Sequence, residues 1–157
     1  MYRIIDFRGY DKLNIPARVA SIEYDPYRTS RIVLLQYADG EKRYGLAWKN
    51  VSVGDIVMTG DQAKLTPGNR KLLRDIPDGF SVFNIEFTPN TKGKLIRTAG
   101  ASATLTGKDE AMGMVYLKMP SGEVRKFHDH CWATIGVVGN EDHKNIVIGK
   151  AGRMRWM

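Results

Sequence analysis

Residues 31–47 read RIVLLQYADGEKRYGLA, which is an apolar and β-branched run, an Asp-Gly pair and a second strand-like run. β-Branched and aromatic side chains fit the pleated surface of a strand, and Asp-Gly supplies the left-handed backbone that a tight hairpin turn needs. The stretch therefore predicts a β-hairpin with its turn at Asp39-Gly40. It decides the fold class, because related patterns recur on both sides of it.

Short alternating segments make up most of the chain outside this hairpin. Sixteen glycines and six prolines are spread over the 157 residues, and helical periodicity nowhere lasts for more than about two turns. Because closing a sheet removes its exposed edges, short and locally connected strands favour small barrels, and we predict an all-β fold. Further strands are expected at residues 19–24, 54–58, 81–87, 115–119, 123–127, 134–139 and 146–148, with a second hairpin turn at residues 120–122.

A cluster of turn-forming residues at 66–70, TPGNR, interrupts the strand pattern near the middle of the chain. It is the expected boundary between two small barrels, one covering residues 1–66 and the other residues 67–157. Each barrel has only a small core, so we expect the two to gain stability from packing against each other and from a partner. Trp48 and Trp132 are expected in the core or at the interface between the barrels.

The chain is basic, with a net charge of +7 and a pI near 9.6, which favours polyanionic partners. Residues 1–66 hold ten Lys/Arg against eight Asp/Glu, whereas residues 67–157 hold fourteen against nine. We therefore expect the second half to face RNA. No apolar run approaches the ~20 residues that span a bilayer, and neither a basic amphipathic helix nor a signal peptide is visible, so no membrane partner is expected.

Three clusters of basic residues occur in the loops and the tail of the second half. From Lys144 onward there are four Lys/Arg and no Asp or Glu. Cations dock on phosphate oxygens, glycine lets a backbone approach closely, and an indole stacks on an exposed base; a frayed, solvated tail is the alternative. We predict RNA contacts by nine residues: Lys92, Lys94 and Arg97 around Gly93, Arg125 and Lys126 after the second hairpin turn, and Lys150, Arg153, Arg155 and Trp156 in the tail.

The cluster His128-Asp129-His130-Cys131, with His143 as a further ligand, is the sequence's one candidate for a metal or nucleophile site. Structural zinc usually draws its ligands from two separated pairs, and no second Cys/His pair exists. The sequence also offers no oxyanion-hole loop, paired carboxylates or phosphate loop. We therefore expect no metal, no cofactor and no enzymatic activity, and we expect Cys131 to be a buried thiol beside two solvated imidazoles. A single cysteine excludes an internal disulfide.

Collinear blocks over essentially the whole chain resemble the bacterial-type large-ribosomal-subunit protein number two. The second half carries LIRTAG (95–100), PSGEVRK (120–126), CWATIGVVGN (131–140) and GKAGRMRW (149–156). The first half agrees, in order, through RIIDF (3–7), IPA (15–17), EYDP (23–26), GEKRY (40–44), PGN (67–69) and IPDG (76–79). Several blocks in the same order are far more specific than any single one.

This resemblance implies an OB-fold followed by an SH3-like barrel. It implies a structural protein, rather than a catalyst, that binds large-subunit ribosomal RNA near the peptidyl-transferase region and supports assembly and subunit association, with neighbouring ribosomal proteins as further partners. By matched position it implies RNA contact by Arg97 and by four residues of the tail, and more weakly by Arg125 and Lys126. The four tail residues are Lys150, Arg153, Arg155 and Trp156.

Departures from the family pattern lead to an expectation about the compartment. The family normally has a basic arm before the equivalent of Tyr2 and a Gly- and His-rich extension after Trp156. It usually shows Asn at Tyr27, His at Phe83 and Arg at Trp132. We therefore expect an organellar ribosome, with the mitochondrion favoured. We also expect that the extension is either lost or carried by a separate chain. A bacterial cytoplasmic ribosome is the alternative.

Two other functions stay open at this point. A free RNA- or single-strand-binding module would use Tyr37, Tyr44 and Trp48 as stacking surfaces. A thiol or metal enzyme would be centred on Cys131 and the histidines.

Overall fold

The first half of the chain folds into an antiparallel four-stranded sheet in the computed structural model, which describes residues 2–156. The strand order is β3-β2-β1-β4. Isolated bridges from Ile5 to Tyr44 and from Leu13 to Thr59 bring the N-terminal segment against this sheet. The strands are β1 (Ala17–Glu23), β2 (Ile32–Tyr37), β3 (Lys42–Leu46) and β4 (Ile56–Val57).

The hairpin at residues 31–47 is confirmed. The amide of Tyr37 donates to the Glu41 carbonyl at 2.8 Å, and Gly40 has a φ of +90° at the turn. Only glycine adopts this backbone angle without steric cost. A register shift between Val19 and Ser21 marks a bulge in β1, and such a bulge bends a strand and helps its sheet to curl.

The second half forms a six-stranded antiparallel sheet and a small two-stranded one. The larger sheet has the order β11-β10-β9-β6-β12-β5, and β7 pairs with β8. The strands are β5 (Arg70–Leu72), β6 (Ser81–Phe83), β7 (Ile85–Glu86), β8 (Gly93–Leu95), β9 (Ala103–Asp109), β10 (Met114–Lys118), β11 (Val124–His128) and β12 (Trp132–Ile135).

Helical structure is confined to short pieces, as the sequence predicted. The 3-10 helices are Tyr10–Lys12, Leu73–Asp75 and Glu141–Asn145, and the helix α1 covers Ala151–Met154. Within residues 2–156, none of these helices has the length or apolar character to cross a bilayer.

Several details of the predicted strand map were wrong. Strands β5 and β8 were not predicted, and the strand expected at residues 134–139 ends at Ile135. The strand expected at residues 81–87 is divided, because Asn84 has a φ of +50° and separates β6 from β7. Residues 146–148 are not a strand, and Ile146 and Val147 are exposed. Strand β9 was overlooked although Ala103 and Leu105 alternate with polar residues in it, as is typical of a strand with one buried face.

Two buried clusters lie in the protein. One belongs to the second half and includes Leu73, Val82, Leu105 and Leu117. The other joins residues of both halves: Trp48 and Val57 pack with Phe83 and Val138. Trp48 is only 5% exposed in this cluster, which confirms the expectation that it lies in the core or at the interface between the barrels.

Arg70 makes a polar connection across the same seam. Its Nε donates to the Arg8 carbonyl at 2.9 Å, and its Nη1 donates to the Asn84 carbonyl at 2.6 Å. Its Nη2 lies 3.7 Å from Glu86 Oε1, close enough for attraction but too far for a hydrogen bond. Burial raises the pKa of Glu86 and lowers that of Arg70 to about 10. Backbone carbonyls therefore supply most of the hydrogen bonds that hold the Arg70 guanidinium in the seam.

Candidate RNA-binding surface

The segment that carries Lys92 and Lys94, at the start of β8, is fixed between the two halves of the protein. Between the two lysines, the Gly93 amide donates to the Phe7 carbonyl at 2.9 Å. A side chain at position 93 would overlap the Asn84 amide, so the close approach requires glycine. Both lysines are exposed, and among residues 2–156 neither forms an ion pair. The loop thus presents two solvated cations from an anchored backbone.

Arg97 lies just behind these lysines and is partly buried. Its guanidinium carbon is 4.4 Å from the centre of the Phe7 ring, and Arg28 approaches the same ring at 5.5 Å. Burial, together with repulsion from Arg28, lowers the pKa of Arg97. No acidic group in the described part of the chain pairs with Arg97. A phosphate placed here would relieve the repulsion between two close guanidinium groups.

The second predicted cluster lies on β11, at one end of the six-stranded sheet. Arg125 and Lys126 are exposed there. The Nε of Arg125 is 3.6 Å from Glu123 Oε1, and the ammonium of Lys126 lies 5.7 Å from the centre of the Tyr116 ring. These partners compensate part of the charge, so this cluster attracts an anion less strongly than the loop at 92–97. The two clusters are carried by different sheets.

The tail extends away from both cores. Lys150 is extended and precedes α1, and Trp156 is 90% exposed. The backbone hydrogen bonds found here are internal, from Arg153 N to the Lys150 carbonyl and from Trp156 N to the Arg153 carbonyl. Within the described residues, Lys150, Arg153 and Arg155 form no ion pair. The structure does not pack this cluster against the other two.

Sequence reasoning overlooked Arg28 and its neighbour Tyr27. No basic run follows Arg28, and Asp25 lies three residues before it, so nothing in the sequence marked Arg28 as an RNA contact. In the structure its Nε pairs with Asp25 at 2.7 Å. Tyr27 is 69% exposed, and its amide donates to Asp25 Oδ1. The block EYDP at 23–26 was recognised as a family block, but nothing in its pattern placed it beside Arg97.

The stacking surface expected for a free single-strand-binding module is not formed. Tyr37 and Trp48 are buried. Tyr44 is covered by Arg3, whose guanidinium lies 4.9 Å from the ring centre, and its hydroxyl donates to Glu23 at 3.3 Å. Aromatic rings that stack on bases must have a free face, so these three residues are not a stacking surface.

The histidine cluster is a surface network. His128 and His130 both place Nδ1 near Asp129 Oδ1, at 3.2 Å and 2.7 Å, and Arg74 lies 3.4 Å from His130 Nε2. Ligand atoms of these three residues lie within 4.8 Å of one another, so they could approach a divalent metal, although the guanidinium beside His130 opposes one. The two imidazoles share a side because β11 ends at His128 and a turn follows, and not because of strand alternation.

Cys131 is fully buried, as the sequence predicted. Burial, with a smaller effect of Glu86, raises the pKa of its thiol to about 11. A nucleophilic cysteine needs the opposite shift. His143 is exposed on its 3-10 helix and is not among the groups that shift this thiol.

Two curled β-sheet units joined by a buried seam, with uncompensated surface cations in the second half, define a tandem-barrel protein suited to binding RNA. Comparison with protein families gives the particular family. Residues 1–59 match the Ribosomal Proteins L2, RNA binding N-terminal domain, and residues 66–157 match the Ribosomal Proteins L2, C-terminal domain. The chain belongs to the ribosomal protein L2 family.

Membership confirms several expectations from the sequence. The two domains of the family are an OB-fold and an SH3-like barrel. The protein is a structural, RNA-binding component of the large ribosomal subunit, and its partners are ribosomal RNA and ribosomal proteins. Its location is the ribosome.

Proposed function

We propose that this protein binds large-subunit ribosomal RNA near the peptidyl-transferase region and supports subunit association. One observation carries the assignment of its contacts: within residues 2–156 the cations of residues 92–97 and of the tail form no ion pair, and the tail also carries an exposed indole. The contacting residues are Lys92, Lys94, Arg97, Arg125, Lys126, Lys150, Arg153, Arg155 and Trp156.

The tail supplies an exposed part of this binding surface. Each cation that neutralises a phosphate releases counterions, and the logarithm of the affinity then falls with the logarithm of the salt concentration by about 0.7–0.9 per contact. Trp156 adds stacking worth about 1–3 kcal/mol for an unpaired base. The tail is exposed, and the backbone hydrogen bonds found in it are internal. Its side chains are therefore available for contacts with RNA.

We divide the chain into an OB-fold RNA-binding domain at 1–66 and an SH3-like barrel with a basic tail at 67–157; Met1 and Met157 lie outside the described residues. Two observations support the division. The family matches end at 59 and begin again at 66, and strand β5, from Arg70, pairs with β12 of the second sheet. The seam through Trp48 packs the two domains against each other.

For the compartment we propose an organellar ribosome, mitochondrial rather than bacterial. The modest net charge of +7 supports this, as do the apolar residues Phe83 and Trp132, which are buried where the family pattern has polar ones. We also propose that a companion protein chain packs on the C-terminal segment, whose exposed Ile146, Val147 and Met154 offer apolar contact area.

The test is sedimentation of tagged protein from fractionated cells through a sucrose gradient. We expect the protein in the mitochondrial fraction and in the large-subunit peak, with its release from that peak by ribonuclease. Sedimentation with bacterial-type ribosomes of the cytoplasm would overturn the mitochondrial assignment but not the binding to the large subunit. Protein that remains at the top of the gradient, while known large-subunit proteins sediment, would overturn its incorporation into the subunit.

A further inference from the structure

A tight turn at the end of β11 brings two imidazoles and a carboxylate together. The Cys131 amide donates to the His128 carbonyl at 3.0 Å, which closes the turn around Asp129 and His130. Metal-binding atoms of His128, Asp129 and His130 lie within 4.8 Å of one another. The Cys131 side chain takes no part, because it packs in the core of the second half. The turn therefore groups two nitrogen ligands and one oxygen ligand at the surface.

The backbone of this turn is anchored at its middle residue. The Asp129 amide donates to the Gly113 carbonyl at 3.0 Å, and the Asp129 carbonyl accepts from the Arg74 amide at 3.1 Å. The Asp129 side chain is half as exposed as those of His128 and His130. Ligands on an anchored backbone lose little conformational freedom when an ion binds, which favours binding.

The distances between the donor atoms suit a single coordination sphere. Asp129 Oδ1 lies 3.2 Å from His128 Nδ1 and 2.7 Å from His130 Nδ1. Ligand atoms that lie about 2.0–2.2 Å from a zinc ion are about 2.8–3.6 Å apart, for angles between the octahedral and the tetrahedral value. Both measured separations are close to this range. One ion can therefore contact all three residues after small rotations of the exposed imidazoles.

Acidic side chains outnumber basic ones beside the turn. A cleft of about 50 Å³ next to it is lined by Asp109, Glu110 and Asp129 against Arg74 and Lys108. Within residues 2–156, neither Asp109 nor Glu110 forms an ion pair. The Lys108 ammonium donates instead to the Arg74 carbonyl at 2.7 Å. This corner therefore attracts cations, although the net charge of the chain is +7.

The Arg74 guanidinium opposes a metal and fixes the proton on His130. Its Nη1 lies 3.4 Å from His130 Nε2 and can only donate, so the His130 proton is on Nδ1, where it donates to Asp129 Oδ1. His128 Nδ1 accepts from the His130 amide at 3.1 Å and therefore has no proton. An ion must displace this amide, shift the His130 proton to Nε2 and move Arg74, whose side chain is half exposed.

We propose that His128, Asp129 and His130 bind a divalent transition-metal ion, and that this ion is zinc. Sequence spacing alone predicted no metal here, because it shows neither the anchored turn nor the unpaired acids beside it. Imidazole nitrogens favour zinc over Mg²⁺ and Ca²⁺, which take oxygen ligands. Water completes the coordination, as is usual where a zinc ion has three protein ligands. The inference concerns the protein alone and does not depend on RNA binding.

Calorimetric titration of the untagged chain with Zn²⁺ tests the site. The decisive variant is His130→Gln. The matched control is His143→Gln, because His143 is exposed on its 3-10 helix and is the one histidine outside the cluster. We expect the parent and the control to bind one equivalent with equal affinity, also in a large excess of Mg²⁺. We expect His130→Gln to bind at least about 10–100-fold more weakly, the loss that follows even from changes beside a metal ligand.

Arg74→Gln gives a result in the opposite direction. Removing the guanidinium frees His130 Nε2 and leaves more negative charge at the turn, so we expect Zn²⁺ to bind several-fold more tightly. A general disturbance of the turn would weaken binding instead. Imidazole nitrogen shifts in NMR spectra identify the ligand atoms, and we expect zinc to shift Nδ1 of His128 and His130 but not the His143 ring.

Three results would overturn the site. They are a parent that takes up no zinc, equal affinities for His130→Gln and His143→Gln, and an affinity of Arg74→Gln no higher than that of the parent. Thermal unfolding in the presence of a chelator checks that all variants fold before zinc is added.

Discussion

Arg70 and Arg153 show two opposite ways in which this protein treats a guanidinium group. Arg70 is 5% exposed in the seam, where the carbonyls of Arg8 and Asn84 accept its hydrogen bonds. Arg153 is exposed on α1 and forms no ion pair within the described residues. In the seam the protein's own carbonyls accept hydrogen bonds from the guanidinium group, whereas in the tail the described residues supply no acidic partner. A cation that the protein leaves unpaired on an exposed segment is therefore the better indicator of RNA contact.

The largest effect on stability is expected from Arg70→Met. Removing the guanidinium leaves Glu86 buried without a counter-charge and two carbonyls without a donor, which costs about 3–5 kcal/mol of unfolding free energy. Chemical denaturation measures the loss. The double variant Arg70→Met/Glu86→Gln leaves no charge behind and regains part of it. A single variant as stable as the parent would show that the seam does not depend on this connection.

The largest effect on RNA binding is expected from Lys150→Gln/Arg153→Gln/Arg155→Gln. The salt slope falls by about 2.1–2.7, since three phosphate contacts are lost. The free energy of unfolding changes by no more than about 0.5 kcal/mol, because these side chains support no fold contact. Arg18→Gln/Lys64→Gln/Lys118→Gln removes the same charge elsewhere and serves as the control. An unchanged slope would exclude the tail from the interface.

A smaller effect distinguishes packing from backbone strain in the seam. Gly68 and Gly54 have φ angles of +93° and +97°, so alanine is strained at both positions. At position 68 its Cβ would lie 2.7 Å from Trp48 Cε2, whereas at position 54 nothing lies within 4 Å. We expect Gly68→Ala to be less stable than Gly54→Ala by about 1–3 kcal/mol in chemical denaturation. Equal losses would mean that the seam yields around Trp48.

The smaller of the two effects on RNA binding is expected from Trp156→Ala. It loses about 1–3 kcal/mol of binding to ribosomal RNA through stacking, and the salt slope stays that of the parent because no charge is removed. Trp156→Phe keeps a ring and most of the affinity. A parent-like affinity for Trp156→Ala in filter binding would leave the tail with an electrostatic role only.

The features that the sequence predicts well are those that neighbouring residues determine. Both hairpin turns follow from local chemistry, with Gly40 and Gly122 each at a φ of +90°. The tail's exposure follows from its lack of apolar periodicity. The break at Asn84 could not be predicted, because it depends on Arg70, which is distant in sequence, donating to the Asn84 carbonyl.

The candidate site divides in the same way. Lys92 and the tail cations were found because no acid lies beside them in the sequence. Arg28 was overlooked because Asp25 lies near it in the sequence and pairs with it, and only the folded structure shows that Arg28 shares the Phe7 ring with Arg97. Tyr37 and Trp48 were expected as stacking residues in one alternative, but tertiary packing buries them.

The most direct test is ultraviolet crosslinking in intact cells, followed by sequencing of the attached RNA and identification of the crosslinked residues. We expect crosslinks to large-subunit ribosomal RNA through residues 92–97 and the tail at 150–156, and not through the buried seam. The genome that encodes this RNA then identifies the compartment. Crosslinks spread over messenger RNAs, or confined to residues outside these segments, would contradict the account.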